Sequence, residues 1–222
     1  MSTENNMLVG SEPCIVLIAG SSSGAGKTAV AETVTRLLSM SYRTAAAKIT
    51  VTHGERGCPH GGKGCQVCSS LDGDFQVISK ESIIAQSGTD TARLQASGGN
   101  PVAWVITRDV ALEAAWQETR SLFKNVDCIV VESNSLAAHV DPRLTLMVVD
   151  PSISRKIWKP SAVRLIATAD YVIFNNRGPQ LQRELLTRDI ENLRGDLCDV
   201  IYVNHPYELA KDPRLIQSLK SR

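Results

Sequence analysis

Residues 20 to 28 read Gly-Ser-Ser-Ser-Gly-Ala-Gly-Lys-Thr. The apolar run Cys14-Ile-Val-Leu-Ile-Ala19 precedes them, and a helix-like stretch, Ala29 to Met40, follows. A strand, a glycine-rich turn closing in Gly-Lys-Thr, and a helix form the phosphate-binding loop arrangement. Glycines let the backbone curl with its N–H groups turned inward around phosphate oxygens. The helix N-terminus adds a partial positive charge. In such a loop Lys27 reaches the β- and γ-phosphates and the Thr28 hydroxyl holds Mg²⁺. Gly24, Ala25, Gly26, Lys27, Thr28 and Ala29 are therefore the candidate nucleotide-binding residues. One position departs from the strict pattern: the glycine expected five residues before Gly26 is Ser21, with Gly20 one step earlier. Serine serves there if its φ is ordinary, so the loop reads as a variant.

The 222 residues suit one domain, here taken as 1–222 with an insertion at about 54–86. With 43% hydrophobic and 21% charged residues the composition is that of a globular chain. A net charge of +1 leaves no electrostatic footprint for nucleic acid or an anionic membrane. The N-terminal Met-Ser-Thr-Glu-Asn-Asn has no signal-peptide core, and no apolar stretch approaches the ~18 residues that span a bilayer. The expectation is a cytoplasmic protein.

Apolar, β-branched runs alternate with helical segments. Strands are expected at Cys14–Ala19, Thr44–Thr50, Val102–Thr107, Cys128–Glu132, Thr145–Asp150, Tyr171–Asn175 and Val200–Asn204. Helices are expected at Lys27–Met40, Asp90–Ser97, Val110–Phe123, Ala162–Thr168, Pro179–Asn192 and Tyr207–Lys220. Strands apolar throughout, separated by helices, predict an α/β fold in three layers, a mostly parallel sheet covered on both sides.

An acidic residue ending a buried strand is the second element of such a phosphate site. Glu132 closes the run from Val126 and is the candidate for Mg²⁺ or for orienting water; Asp150 ends another strand in the same manner and competes. Lys48 and His53 flank the end of the second strand, where parallel sheets bind ligands. Lys48 there contacts phosphate or an anionic substrate, or is a solvated strand end.

Six cysteines are present. Cys14, Cys128 and Cys198 lie in or beside apolar runs and read as small core residues. Cys58, Cys65 and Cys68 form a C-x₆-C-x₂-C array within a glycine-rich stretch. Three thiolates with His60 or His53 complete a tetrahedral Zn²⁺ site; three thiolates alone hold an iron–sulfur cluster with one iron ligated from elsewhere. Incidental cysteines in a glycine loop are the bland alternative.

The loop, then Lys48-Ile-Thr-Val-Thr-His53, then Gly88-Thr-Asp90-Thr-Ala-Arg93, then Asp127-Cys-Ile-Val-Val-Glu132, resembles in this order the molybdopterin-guanine dinucleotide biosynthesis adaptor family, within the SIMIBI-class P-loop NTPases. The resemblance covers about residues 12–150. It implies binding of GTP, Mg²⁺, a homodimer, and a role in molybdenum or tungsten cofactor maturation beside a biosynthetic enzyme or metalloenzyme partner. Lys27, Glu132 and Asp90 are then the catalytic candidates, with Thr28 and Glu132 on Mg²⁺. The family's glycine after the strand-ending Glu is Ser133 here, and the chain runs beyond the family's usual end. That extension carries Phe174-Asn175-Asn-Arg-Gly178, which looks like the strand before the Asn-Lys-x-Asp guanine motif with the aspartate missing; this leaves GTP and ATP both open. Asn175 touches the base edge or caps a strand. The Cys58-Pro-His60 triplet resembles that of nickel-insertion GTPases. A small-molecule kinase using the same loop, with Asp90 or Glu132 as base, and a non-enzymatic metal-binding adaptor are the other readings.

Overall fold

The structure is a computed structural model that describes residues 12–52, 71–158, 160–176, 180–194 and 199–220. Its strands are β1 (Cys14–Gly20), β2 (Thr44–Thr52), β3 (Phe75–Ile78), β4 (Val102–Arg108), β5 (Cys128–Glu132), β6 (Leu144–Val149), β7 (Tyr171–Asn175) and β8 (Asp199–Val203). All eight join one sheet in the order β3-β4-β2-β5-β1-β6-β7-β8. Every pairing is parallel except β3 with β4. The helices are α1 (Lys27–Ser39), α2 (Glu81–Ile84), α3 (Asp90–Ala96), α4 (Leu112–Leu122), α5 (Pro160–Thr168), α6 (Gln180–Arg194) and α7 (Pro213–Lys220).

The central strands bury both faces, so their sequences are apolar without alternation. Alternate residues of β1 go to opposite layers. Val16 and Ile18 join α1 residues Val30, Val34 and Leu38 and α7 residues Leu215 and Leu219 on one face. Leu17 packs with Trp116 and Ala115 of α4 on the other, and Ala19 with Ile166 of α5 and Ile190 of α6 farther along that face. This is the three-layer α/β arrangement the apolar runs predicted. Cys14 and Cys128 pair in register on β1 and β5, and their thiols meet at 2.8 Å.

Two stretches differ from expectation. Residues 54–86, taken as one insertion, contain β3 and α2. β3 was missed because Phe75-Gln-Val-Ile is short and follows glycines; it gains its bonds as an antiparallel edge strand on β4, from Phe75 opposite Thr107 to Ile78 opposite Trp104. The helix expected over Tyr207–Lys220 is two pieces, a 3₁₀ segment Pro206–Lys211 and α7. Pro213 cannot supply an amide to a continuing helix, and Asp212 before it is held extended at φ −78°, ψ 113°. Boundaries elsewhere move by a residue or two; β2 runs on to Thr52. Cys58, His60, Cys65 and Cys68, with His53 and Cys198, lie outside the described residues.

Among the described residues no helix is long and apolar enough to cross a membrane.

Candidate nucleotide site

β1 is flanked by β5 on one side and β6 on the other; β2, β3 and β4 lie beyond β5, and after β5 the chain crosses to the opposite side of β1 to form β6, β7 and β8. Open α/β sheets bind ligands at the carboxyl ends of strands where the winding reverses. The loop between β1 and α1 lies at this position and forms one wall of a cleft of about 540 Å³, lined also by Lys48, Asp90, Arg93, Glu132 and Asn134.

Local geometry explains the loop's sequence. Gly24 and Gly26 have φ of 77° and 100°, a left-handed conformation that side chains rarely adopt. Ser21 is not among the positive-φ residues, so serine fits where the strict pattern has glycine. The glycine requirement has moved one residue back: a Cβ on Gly20 would lie 2.6 Å from Lys27 Cγ. The Lys27 side chain therefore crosses against the bare Gly20 backbone, and its ammonium donates to the Ser22 carbonyl at 3.0 Å. The Ser21 and Ser22 hydroxyls are buried and without a hydrogen-bond partner.

Two asparagines brace the loop. The Asn134 amide accepts from the Gly20 N–H at 2.9 Å and donates to the Gly20 carbonyl at 2.8 Å, acting as an extra strand residue at the end of β1. Sequence reasoning missed Asn134; its place two residues after Glu132 was the one available signal. Asn175, at the end of β7 and 3% exposed, donates to the Ala25 carbonyl at 3.4 Å and lies where a Cβ on Gly26 would be 2.9 Å from its Nδ2. Its amide thus packs against the loop, which is a third use beside the base contact and the strand cap expected of it.

The acidic side is assembled from three elements. The Thr28 hydroxyl donates to Glu132 Oε2 at 2.8 Å. Glu132, 6% exposed, has its other oxygen 3.4 Å from the Lys48 ammonium. Lys48 also donates to Asp90 Oδ2 at the start of α3. Burial pushes the Asp90 carboxyl up, but the Lys48 hydrogen bond and charge, with help from the Thr28 hydroxyl and Arg93, hold it below the usual carboxylate range. Arg93 reaches back to Glu32 on α1 and lies 3.8 Å from Asp90. Asp150 does not join this group: it accepts from the Ser152 N–H at 2.9 Å and hydroxyl at 2.6 Å, closing its own turn after β6. Of the two strand-ending acids, Glu132 is the one beside Thr28.

The structure thus brings together Lys27, Thr28, Lys48, Asp90 and Glu132 around one cleft. Two carboxylates and a hydroxyl are the hard oxygen donors that suit Mg²⁺, which keeps waters and takes one or two protein carboxylates together with phosphate. The partnerless Ser22 hydroxyl lines the same cleft, where a ligand oxygen would satisfy it.

No protein-family model and no curated protein sequence matches the chain. Solved structures similar to it include the "apo" form of LpxK from Aquifex aeolicus in complex with ATP, at 12% identity and TM-score 0.46, over 74% of this chain and 48% of that one. A LAO/AO transport system kinase matches at 13% identity and TM-score 0.48, over 95% of this chain and 64% of the other. A ParA family ATPase from Chlorobium tepidum TLS matches at 12% identity and TM-score 0.43, over 94% and 90%. The chain thus spans about half the length of the first and under two thirds of the second.

Proposed function

We propose that this chain binds a purine nucleoside triphosphate with Mg²⁺ at the β1–α1 loop and is an NTPase with slow intrinsic hydrolysis. The observation that carries the reading is the convergence of Lys27, Thr28 and Glu132 at the mouth of a glycine loop, braced by Asn134 and Asn175. In this reading the loop amides and Lys27 hold the β- and γ-phosphates, and Thr28 and Glu132, with Asp90, hold Mg²⁺. The ion, when bound, neutralises charge on the phosphates. Asp90 is assigned to the cation because it shares the Lys48 ammonium with Glu132 at the mouth of the loop. ATP and GTP are both candidates. The missing guanine-motif aspartate leaves the choice between them open, and Asn175 is directed to the loop.

The finer assignment is to maturation of a molybdenum or other metal cofactor, as a homodimer working with a biosynthetic enzyme or metalloenzyme. It rests on the order of motifs in the sequence and on the cysteine array, as the site for Zn²⁺ or an iron–sulfur cluster. Titration calorimetry with ATP and GTP in Mg²⁺, followed by phosphate release, tests the nucleotide reading: saturable heat lost in Lys27→Ala supports it, and no heat with either nucleotide ends it. Nucleoside diphosphate formed only when a hydroxyl acceptor is added, with the phosphoryl group on the acceptor and no free phosphate, would assign the chain to the kinases instead. Metal analysis with an absorption spectrum of anaerobically purified protein tests the cysteine array.

A further inference from the structure

Lys48 is directed inward, against carboxylates, and not outward toward an anion. It sits on β2 opposite Glu132 of β5 in the sheet register. Its ammonium contacts Asp90 Oδ2 and lies 3.4 Å from Glu132 Oε1. The Thr28 hydroxyl donates to the other Glu132 oxygen at 2.8 Å. Carboxylate oxygens from α3 and β5 therefore flank one primary ammonium, and the α1 hydroxyl of Thr28 holds the far oxygen of Glu132. The Glu132 side chain is only 7% exposed and that of Lys48 24%, so the pair lies where solvent screens weakly. Of the other cations at the cleft, Lys27 is on the Ser22 carbonyl, and Arg93 is on Glu32 and 3.8 Å from Asp90 Oδ1, the oxygen that Lys48 does not contact.

We propose that Lys48 is a tethered counter-ion that holds the divalent-cation position of the cleft, and that Mg²⁺ entering with a triphosphate displaces its ammonium toward the phosphates. This rests on the nucleotide reading of the cleft. Without a resident charge, Asp90 and Glu132 would repel each other across a partly buried gap. With Lys48 between them, a free divalent ion competes against a cation whose effective concentration is set by its tether. A triphosphate changes the balance, because it offers the displaced ammonium a new anion. Metal and nucleotide then bind with positive coupling, and the metal alone binds weakly.

The test is Mn²⁺ binding without nucleotide, read by the electron paramagnetic resonance of the free ion. Lys48→Met, which keeps the chain length and removes the charge, is expected to bind Mn²⁺ about tenfold or more tightly than the parent chain, and Lys48→Arg to remain close to the parent. Equal or weaker binding in Lys48→Met overturns the proposal. A second measurement needs no mutation: saturating Mn²⁺ should raise the rate at which an amine acylating reagent modifies Lys48, read by peptide mass spectrometry. An unchanged rate overturns it as well. Neither arm contains nucleotide, so absence of heat with ATP and GTP would remove the function proposed above while leaving this comparison to be decided on its own.

Discussion

The Thr28 hydroxyl donates to Glu132 Oε2 at 2.8 Å, joining residues 104 positions apart. Thr28 lies in the first turn of α1 and Glu132 is the last residue of β5, which is hydrogen-bonded directly to β1. The strand that delivers the loop and the strand that delivers the acid are therefore neighbours, and the sheet fixes the distance between the two groups. A hydrogen bond to a carboxylate contributes about 1.5–3 kcal/mol. Thr28→Ala is expected to lose a comparable amount of stability in urea denaturation and to abolish the Mg²⁺-dependent part of nucleotide affinity. Nucleotide affinity in EDTA should change little. An equal loss with and without Mg²⁺ would show that Thr28 does not act through the cation.

Lys27 has its methylenes against Gly20 and its ammonium on the Ser22 carbonyl, so it stays over the loop before any ligand arrives. Removing the charge from a phosphate site should cost about 2–5 kcal/mol of nucleotide affinity. Lys27→Ala should show this in calorimetry while keeping its circular dichroism spectrum, because the loop's shape is held by Asn134 and Asn175. Unchanged affinity would place the phosphates elsewhere.

Gly20→Ala and Gly26→Ala separate two ways a loop glycine can be required. At Gly20 the added Cβ would meet Lys27 Cγ at 2.6 Å and Cδ at 2.8 Å, methylenes that clear it only if Lys27 changes its χ1 rotamer. Gly20→Ala should thus fold with small loss of stability but lower nucleotide affinity, since Lys27 is the atom group that shifts. At Gly26 the backbone itself has φ of 100° and the Cβ would also press Asn175 Nδ2 at 2.9 Å. Gly26→Ala should lose about 1–2 kcal/mol of stability from the left-handed backbone alone. Thermal denaturation beside calorimetry distinguishes them; equal stability loss in both would contradict the assignment.

Much of this architecture was legible because it is encoded in short windows. The continuous apolar runs announced buried parallel strands, and β5 and β7 have the bounds their sequences suggest. The loop was legible because Gly-Lys-Thr between strand and helix has few other uses. What depends on distant chain segments was not legible. Nothing local in Asn134 says that its amide will bond both backbone groups of Gly20, 114 positions away. β5 and β6 both flank β1, and nothing local in Asp150 says that its carboxylate will turn to Ser152 while that of Glu132 meets Thr28. β3 gained its place only through pairing with β4. The role of Lys48 was left open between anion contact and solvated end because the sequence separates it from Asp90 by 42 residues.

Asp212 shows the same effect at a helix start and carries a pH dependence. Its Oδ1 accepts from the N–H groups of Arg214 at 3.0 Å and Leu215 at 3.1 Å, and its Oδ2 pairs with the Arg214 guanidinium at 3.0 Å. Burial pushes its carboxyl up, but the Arg214 side-chain bond and the two backbone donors outweigh it and hold the group below the usual carboxylate range. These are N-cap bonds to α7, whose Leu215 and Leu219 pack into the core layer shared with α1. Asp212→Ala should therefore cost about 1 kcal/mol at neutral pH. A carboxyl more acidic folded than unfolded stabilises above its unfolded pKa, near about 4, and that contribution is lost as pH falls through the lower folded value. The stability difference between the parent chain and Asp212→Ala, measured by urea denaturation from pH 7 downward, should stay constant to about pH 4 and narrow below it. A difference that widens on acidification would mean that Asp212 is not held as the charged cap of α7.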